Sequence, residues 1–109
     1  MLATLVKEEE MNLAETTRDI NYFLTKLEDA DNKSKNEIEN MLVNIGDKAV
    51  PELVDKLQVV KGTVRGIVAM ILIRIGEPSV DYLKRAAKIN KDFEWIADYL
   101  ITEINGIAA

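Results

Sequence analysis

Apolar residues between Gly62 and Gly76 recur at the spacing of a helix. At about 100° per residue, one broad face holds Val64, Ile67, Val68, Ile71, Leu72 and Ile75. The opposite side is small and apolar rather than charged, with Gly66, Ala69, Met70 and Ile73. Arg74 interrupts the stretch, which is also shorter than the about 20 apolar residues of a membrane span. The pattern predicts a central helix that protein covers on two sides.

A second apolar pattern lies near the N-terminus. Residues repeat there every seven positions, at Val6, Leu13, Ile20 and Leu27. A dimeric coiled coil would also have apolar residues at the neighbouring seam positions, which are polar in this chain. We therefore expect a long helix over residues 2–30, either continuous or broken near Asn12, that packs on the rest of the domain.

Capping and turn residues divide the remainder into shorter helices. Ser34 opens a stretch with the spacing of a capping box, and Gly46 is expected to end the helix that follows. Asp47 and Asp92 are expected to cap two later helices, and Pro78 suits the first position of another. The pattern predicts an all-α fold.

The chain also repeats itself. Residues 45–53 (IGDKAVPEL) and 75–83 (IGEPSVDYL) align at a shift of 30 residues. A further shift of 29 residues aligns Ile67, Ile71 and Ile75 with Ile96, Leu100 and Ile104. This period is the length of a helical hairpin, which cannot bury its own apolar face and therefore stacks on its neighbours.

The repeated residues resemble a known family. Thr63-Val64-Arg65 followed by IGEPSV at 75–80 is similar to the short HEAT repeats of the phycobilisome-lyase type, and IGDKAV at 45–50 matches apart from Lys48. The resemblance covers about residues 34–105 and implies a short right-handed α-solenoid of HEAT-like helical hairpins.

The resulting organisation is a single domain over residues 1–109. Residues 2–30 form its long N-terminal capping helix, residues 34–58 the first repeat, 63–89 the second repeat and 92–105 a half repeat.

The distribution of charge along the chain narrows the classes of partner that we expect. The chain has 14 Lys and Arg against 19 Asp and Glu, a net charge of −5. Residues 1–40 contribute −5, residues 41–91 contribute +4 and residues 92–109 contribute −4. An acidic balance with acidic ends makes nucleic acid an unlikely partner and opposes binding to anionic membranes.

Missing residue types narrow the chemistry. The chain contains no Cys and no His, which excludes disulfides, thiolate nucleophiles, imidazole bases and the usual zinc sites. We predict no catalytic residue, no metal site and no cofactor, and therefore a protein that is not an enzyme. MLATLVKEEE at residues 1–10 lacks the features of an export signal, so a cytoplasmic location is expected.

Two surfaces are candidates for binding. The first is a groove on the second helix of each hairpin, which would bind an acidic partner segment through Tyr82, Lys84, Arg85, Lys88 and Lys91. The simpler interpretation, which we favour from sequence, is that these charges only solvate the helix and that Asp55 pairs with Arg85.

The second surface is an apolar patch formed by Gly66, Ala69, Met70, Ile73, Trp95 and Tyr99. We expect the N-terminal helix to cover it through Ile20, Phe23, Leu24 and Leu27. The alternative is that a second copy of the chain or another protein covers it.

The favoured function is a non-catalytic protein–protein interaction or scaffold module, with a protein as partner and a homodimer as one option. One alternative is nucleic-acid binding through the basic middle segment. The other is an accessory subunit of an enzyme, which only the resemblance to the lyases suggests.

Overall fold

The structure is a computed structural model that describes the backbone of residues 18–108 and the side chains of residues 18–106. Residues 2–17 of the predicted N-terminal helix lie outside this part. All regular structure among the described residues is helical, and no strand occurs there, as the sequence predicts. None of the described helices has the length and apolar content that crossing a lipid bilayer requires.

Within residues 18–108, six α-helices follow one another with short connections. They are α1 (described over residues 18–26), α2 (Asn32–Ile45), α3 (Val50–Leu57), α4 (Gly62–Ile75), α5 (Pro78–Ile89) and α6 (Glu94–Ala108). Two 3-10 turns, Gly46–Ala49 and Lys91–Phe93, precede α3 and α6. The last helix, α6, extends beyond residue 105, where the sequence predicts that it ends.

Three helix starts differ from the sequence prediction. Asp31, and not Ser34, is the N-cap of α2, and its carboxylate accepts the N–H of Ser34 at 2.8 Å. This hydrogen bond is the main cause that lowers the pKa of Asp31. Asn90, and not Asp92, caps the turn before α6. Asp47 lies inside a 3-10 turn that has no side-chain cap.

Two glycines end α2 and α4 in the same way. Gly46 has φ 74° and ψ −138°, and Gly76 has φ 84° and ψ −136°. Each donates its N–H to the carbonyl four residues earlier, that of Leu42 or Leu72. This backbone conformation is the mirror image of the extended conformation, and only glycine adopts it readily. The two turns are the structural counterpart of the repeat of 30 residues.

The helices lie in two rows. In one row α2 contacts α4 and α4 contacts α6, while in the other α3 contacts α5. The central helix α4 contacts α3 and α5 as well. Its buried residues Val68, Ile71 and Leu72 lie in a single apolar core that all the helices share. Ser79 is fully buried beside them, and its hydroxyl donates to the Leu72 carbonyl at 2.9 Å.

The described part of the N-terminal helix does not cover the back of α4. Ile20, Leu24 and Leu27 are buried in the shared core, and the surface of α1 forms a groove with α2. Met70 is 48% exposed, Trp95 69% and Tyr99 60%. The expectation that α1 covers this face, and that protein therefore encloses α4 on two sides, is wrong for the described residues.

Candidate functional site

A groove runs between α3 and α5, and we call it the α3–α5 groove. Its volume of about 430 Å³ is large enough for several side chains of a partner. It is lined by Pro51, Val54, Asp55, Gln58, Tyr82, Arg85, Ala86 and Ile89. Val54 is buried and Ala86 half-buried, so the floor is apolar, and the rim combines polar side chains with the exposed Ile89.

The side chains that α5 contributes to this groove follow helical spacing. Tyr82, Arg85 and Ile89 are three and four residues apart and therefore share one face of the helix. The Arg85 guanidinium lies 5.5 Å from the centre of the Tyr82 ring, within the range of a cation–π interaction. Ile89 is 88% exposed. The groove thus presents a cation, an aromatic ring and an unburied aliphatic side chain in one row.

Hydrogen bonds between amides hold one end of the groove. The Asn90 Nδ2 donates to the Gln58 Oε1 at 3.3 Å, and the Gln58 Nε2 donates to the Val54 carbonyl at 3.3 Å. The Asn90 Oδ1 accepts the N–H of Asp92 at 3.2 Å. These bonds link the C-terminal ends of α3 and α5, so both walls of the groove are fixed relative to each other.

The five predicted partner-binding residues lie in two places. Tyr82 and Arg85 line the α3–α5 groove. A separate groove between α5 and α6, which Glu94 and Asp98 also line, holds Lys84, Lys88 and Lys91. The Lys91 Nζ lies 3.9 Å from the Glu94 carboxylate. The lysines therefore face acidic side chains of the chain itself.

The expected ion pair between Asp55 and Arg85 does not form. Within residues 18–108 the ion pairs are Arg74 with Glu39 at 3.5 Å and Lys91 with Glu94. Arg85 stacks on Tyr82 instead, which leaves its guanidinium available to a partner.

Sequence reasoning missed Gln58, Ile89 and Asn90 as parts of this site. The spacing of Ile89 from Tyr82 and Arg85 was a usable signal, because residues seven apart share a helix face. The pairing of Gln58 with Asn90 had no local signal, since it depends on which helices become neighbours.

The predicted apolar patch forms a second surface, which we call the α4–α6 patch. It contains Gly66, Ala69, Met70, Ile73, Trp95 and Tyr99. Gly66, Ala69, Trp95 and Tyr99 line a groove of about 340 Å³ between α4 and α6, whereas Met70 and Ile73 do not line it. The Arg65 guanidinium lies 5.7 Å from the centre of the Trp95 ring at one end. Ala69 and Ile73 are half-buried, whereas Gly66 is exposed.

Comparisons with known proteins add no relative. No protein-family model matches the chain, and neither curated proteins nor solved structures contain a match. Among the described residues, no group of Asp and Glu side chains is placed to hold a metal ion. The α3–α5 groove and the α4–α6 patch are therefore the two candidate functional surfaces.

Proposed function

We propose that the chain is a non-catalytic protein-interaction or scaffold module. In this proposal it is a short right-handed α-solenoid of HEAT-like hairpins, and its α3–α5 groove binds an acidic segment of a protein partner. The two rows of helices and the matching turns at Gly46 and Gly76 support the solenoid. Stacked hairpins of this kind offer extended surfaces for binding.

The observation that carries the proposal is the row formed by Tyr82, Arg85 and Ile89. Tyr and Arg are enriched among the residues that contribute most to protein–protein binding. The cation–π contact holds the Arg85 side chain in place, so less conformational entropy is lost when a partner binds. Ile89 is almost fully exposed, and burying it against a partner removes apolar surface from water.

These side chains define the chemistry of the partner. A carboxylate would pair with the Arg85 guanidinium, with two parallel hydrogen bonds as its best geometry. An apolar side chain would lie between Tyr82 and Ile89, over Ala86. The lysines of the α5–α6 groove would contribute by long-range attraction, which raises association rates more than affinity.

Nucleic-acid binding is the weaker alternative. Its best candidates are Lys84, Lys88 and Lys91, but Glu94 and Asp98 line the same groove. A phosphate backbone brought to these lysines would also approach both carboxylates, which repel it.

The test uses fluorescein-labelled peptides of about 12 residues, a length that spans the roughly 18 Å of a helix such as α5 when helical. The acidic peptide contains Glu residues around a central Leu and Phe, and its counterpart has Lys at every Glu position. Fluorescence anisotropy measures binding, and amide NMR shifts locate it. We expect the acidic peptide alone to bind, with the largest shifts in α3 and α5.

A matched pair of variants separates the groove from general charge. Arg85→Glu and Lys84→Glu make the same change in net charge at neighbouring exposed positions, but only Arg85 lines the α3–α5 groove. Arg85→Glu should weaken binding about tenfold or more, and Lys84→Glu about twofold or less. Equal losses would show that general charge governs binding and would contradict the groove. Tighter binding of single-stranded DNA than of the acidic peptide would favour the nucleic-acid alternative.

A further inference from the structure

One side chain of the α3–α5 groove is unfavourable for a purely acidic partner. Asp55 lies on the α3 wall of the groove, opposite Arg85 on the α5 wall. The Asp55 side chain is exposed and, within residues 18–108, takes part in no ion pair. A partner carboxylate that binds Arg85 would therefore lie near a second negative charge. This charge repels it unless the partner also brings a cation for Asp55.

The two charges lie at a similar level on opposite walls. The hydrogen bond between Gln58 and Asn90 joins the C-terminal ends of α3 and α5, so the two helices run in the same direction. Asp55 comes three residues before Gln58, and Arg85 comes five residues before Asn90, which places both charges within about one helical turn of the same level. Arg85 stacks on Tyr82 of its own helix and forms no ion pair with Asp55. The α3 wall therefore presents a free carboxylate, and the α5 wall presents a free guanidinium.

The length of the groove matches two turns of a helix. Its lining residues run from Pro51 to Gln58 on the α3 side and from Tyr82 to Ile89 on the α5 side. Each pair is seven residues apart, which corresponds to about 10 Å of helix. Residues i, i+4 and i+7 of a partner helix span the same distance and form one apolar stripe. The helix α4 already packs against both α3 and α5, so this pair of helices accommodates a third one.

On the basis of the function proposed above, we propose that the α3–α5 groove binds an amphipathic helix of a protein partner that has acidic residues along one edge of its apolar stripe and basic residues along the other. The stripe lies over Val54 and Ala86, the acidic edge lies against Arg85, and the basic edge lies against Asp55. Turning the partner helix end to end exchanges its two edges. Only one direction therefore pairs both charges, and the charges fix the direction in which the partner binds.

Helical geometry converts this arrangement into a sequence pattern for the partner. The residues immediately before and after a stripe residue lie about 100° to either side of it. A segment with Lys before and Glu after each stripe residue therefore has all its Lys on one edge and all its Glu on the other. Reversing this order at one stripe residue mixes the edges and leaves the composition unchanged.

Three labelled peptides of about 12 residues test this pattern by fluorescence anisotropy with the full chain. The first peptide has Lys before and Glu after each of three Leu residues at i, i+4 and i+7. The second peptide reverses this order at the central Leu, and the third has Gln in place of every Lys. The same hydrocarbon staple on the solvent-facing side holds all three peptides helical. We expect the first peptide to bind about fivefold tighter than the second, or more.

An isosteric variant shows whether Asp55 binds the basic edge. Asp55→Asn should weaken binding of the first peptide about two- to fivefold. It should leave the third peptide bound as tightly as before or more tightly, because that peptide has no cation for Asp55. Asp98→Asn is the matched control, since it makes the same change in net charge at an exposed position of α6 that does not line the groove. Asp98→Asn should not change the binding of any of the peptides, and circular dichroism checks that both variants are folded.

The third peptide distinguishes failure of this proposal from failure of the proposed function. Equal binding of the first and second peptides would overturn the two-edged helix. An Asp55→Asn chain that binds the first peptide as tightly as wild type would overturn it as well. In both cases acidic recognition by the groove stands if the third peptide still binds. Failure of all three peptides to bind would overturn the proposed function and the two-edged helix together.

Discussion

Replacing Gly76 by alanine tests whether the backbone of the repeated turn governs stability. A methyl group at Gly76 would approach only the Ile73 carbonyl oxygen, at 3.9 Å, which is an ordinary contact. The neighbours therefore tolerate the new side chain. The cost arises from φ 84° and ψ −136°, a conformation that alanine rarely adopts.

The magnitude follows from two opposing effects. Holding a non-glycine residue in such a region costs about 1–3 kcal/mol. Alanine also restricts the unfolded chain more than glycine does, which recovers about 0.4–1 kcal/mol. The free energy of unfolding should therefore fall by about 1–2 kcal/mol. The melting temperature should fall by about 4–8 °C for each kcal/mol in a domain of this size.

Urea unfolding followed by far-UV circular dichroism measures this loss, and the dependence on urea should stay unchanged. Gly66→Ala is the matched control, because Gly66 has a helical backbone and open space at its Cβ position. It should stabilise the chain by about 0.5–1 kcal/mol. A Gly76→Ala chain as stable as wild type would refute the reasoning.

Two further predictions concern the caps. Because the pKa of Asp31 is lowered in the fold, its ionised form contributes stability that is present above about pH 4 and is lost as the pH falls through the folded-state pKa. In thermal melts Asp31→Ala should be less stable than wild type at pH 7, and the difference should disappear near pH 2. Asn90→Ala removes the bonds to Gln58 and to the Asp92 N–H and should cost about 1–2 kcal/mol in urea unfolding. Asn90→Asp keeps the second bond, so a loss equal to that of Asn90→Ala would contradict this account.

Helix ends were predictable where a single residue type determines the backbone. Gly46 and Gly76 end helices at the expected positions, and Pro78 starts α5. Glycine alone tolerates the turn, and proline lacks the N–H that a helix interior needs, so both signals are local.

Helix starts were less predictable because several residues make equally good caps. Asp31 and Ser34 are both suitable and lie three residues apart, so the choice between them adds most of one turn to α2. Asn90 and Asp92 present the same ambiguity before α6. The path by which the preceding segment enters each helix decides between the candidates, and this path depends on tertiary packing.

The surfaces were predictable in composition but not in arrangement. Apolar periodicity correctly identified Ile20, Leu24 and Leu27 as buried. It could not show that α1 lies along α2 and leaves Met70 exposed. Periodicity indicates which residues are buried, but it does not indicate which helix covers them. Helical spacing predicts that Arg85 and Lys84 lie on different faces of α5. It does not predict which helices pack beside α5.

The equivalent turns at Gly46 and Gly76 make residues 46–75 an exchangeable block. Duplicating this segment of 30 residues in tandem would join Ile75 to a second Gly46 through backbone geometry that both sites already have. An insertion of another length would rotate the following helix out of its row. In the proposed solenoid, the chain would therefore be lengthened or shortened by whole blocks, and each new block would bring its own groove beside the last one.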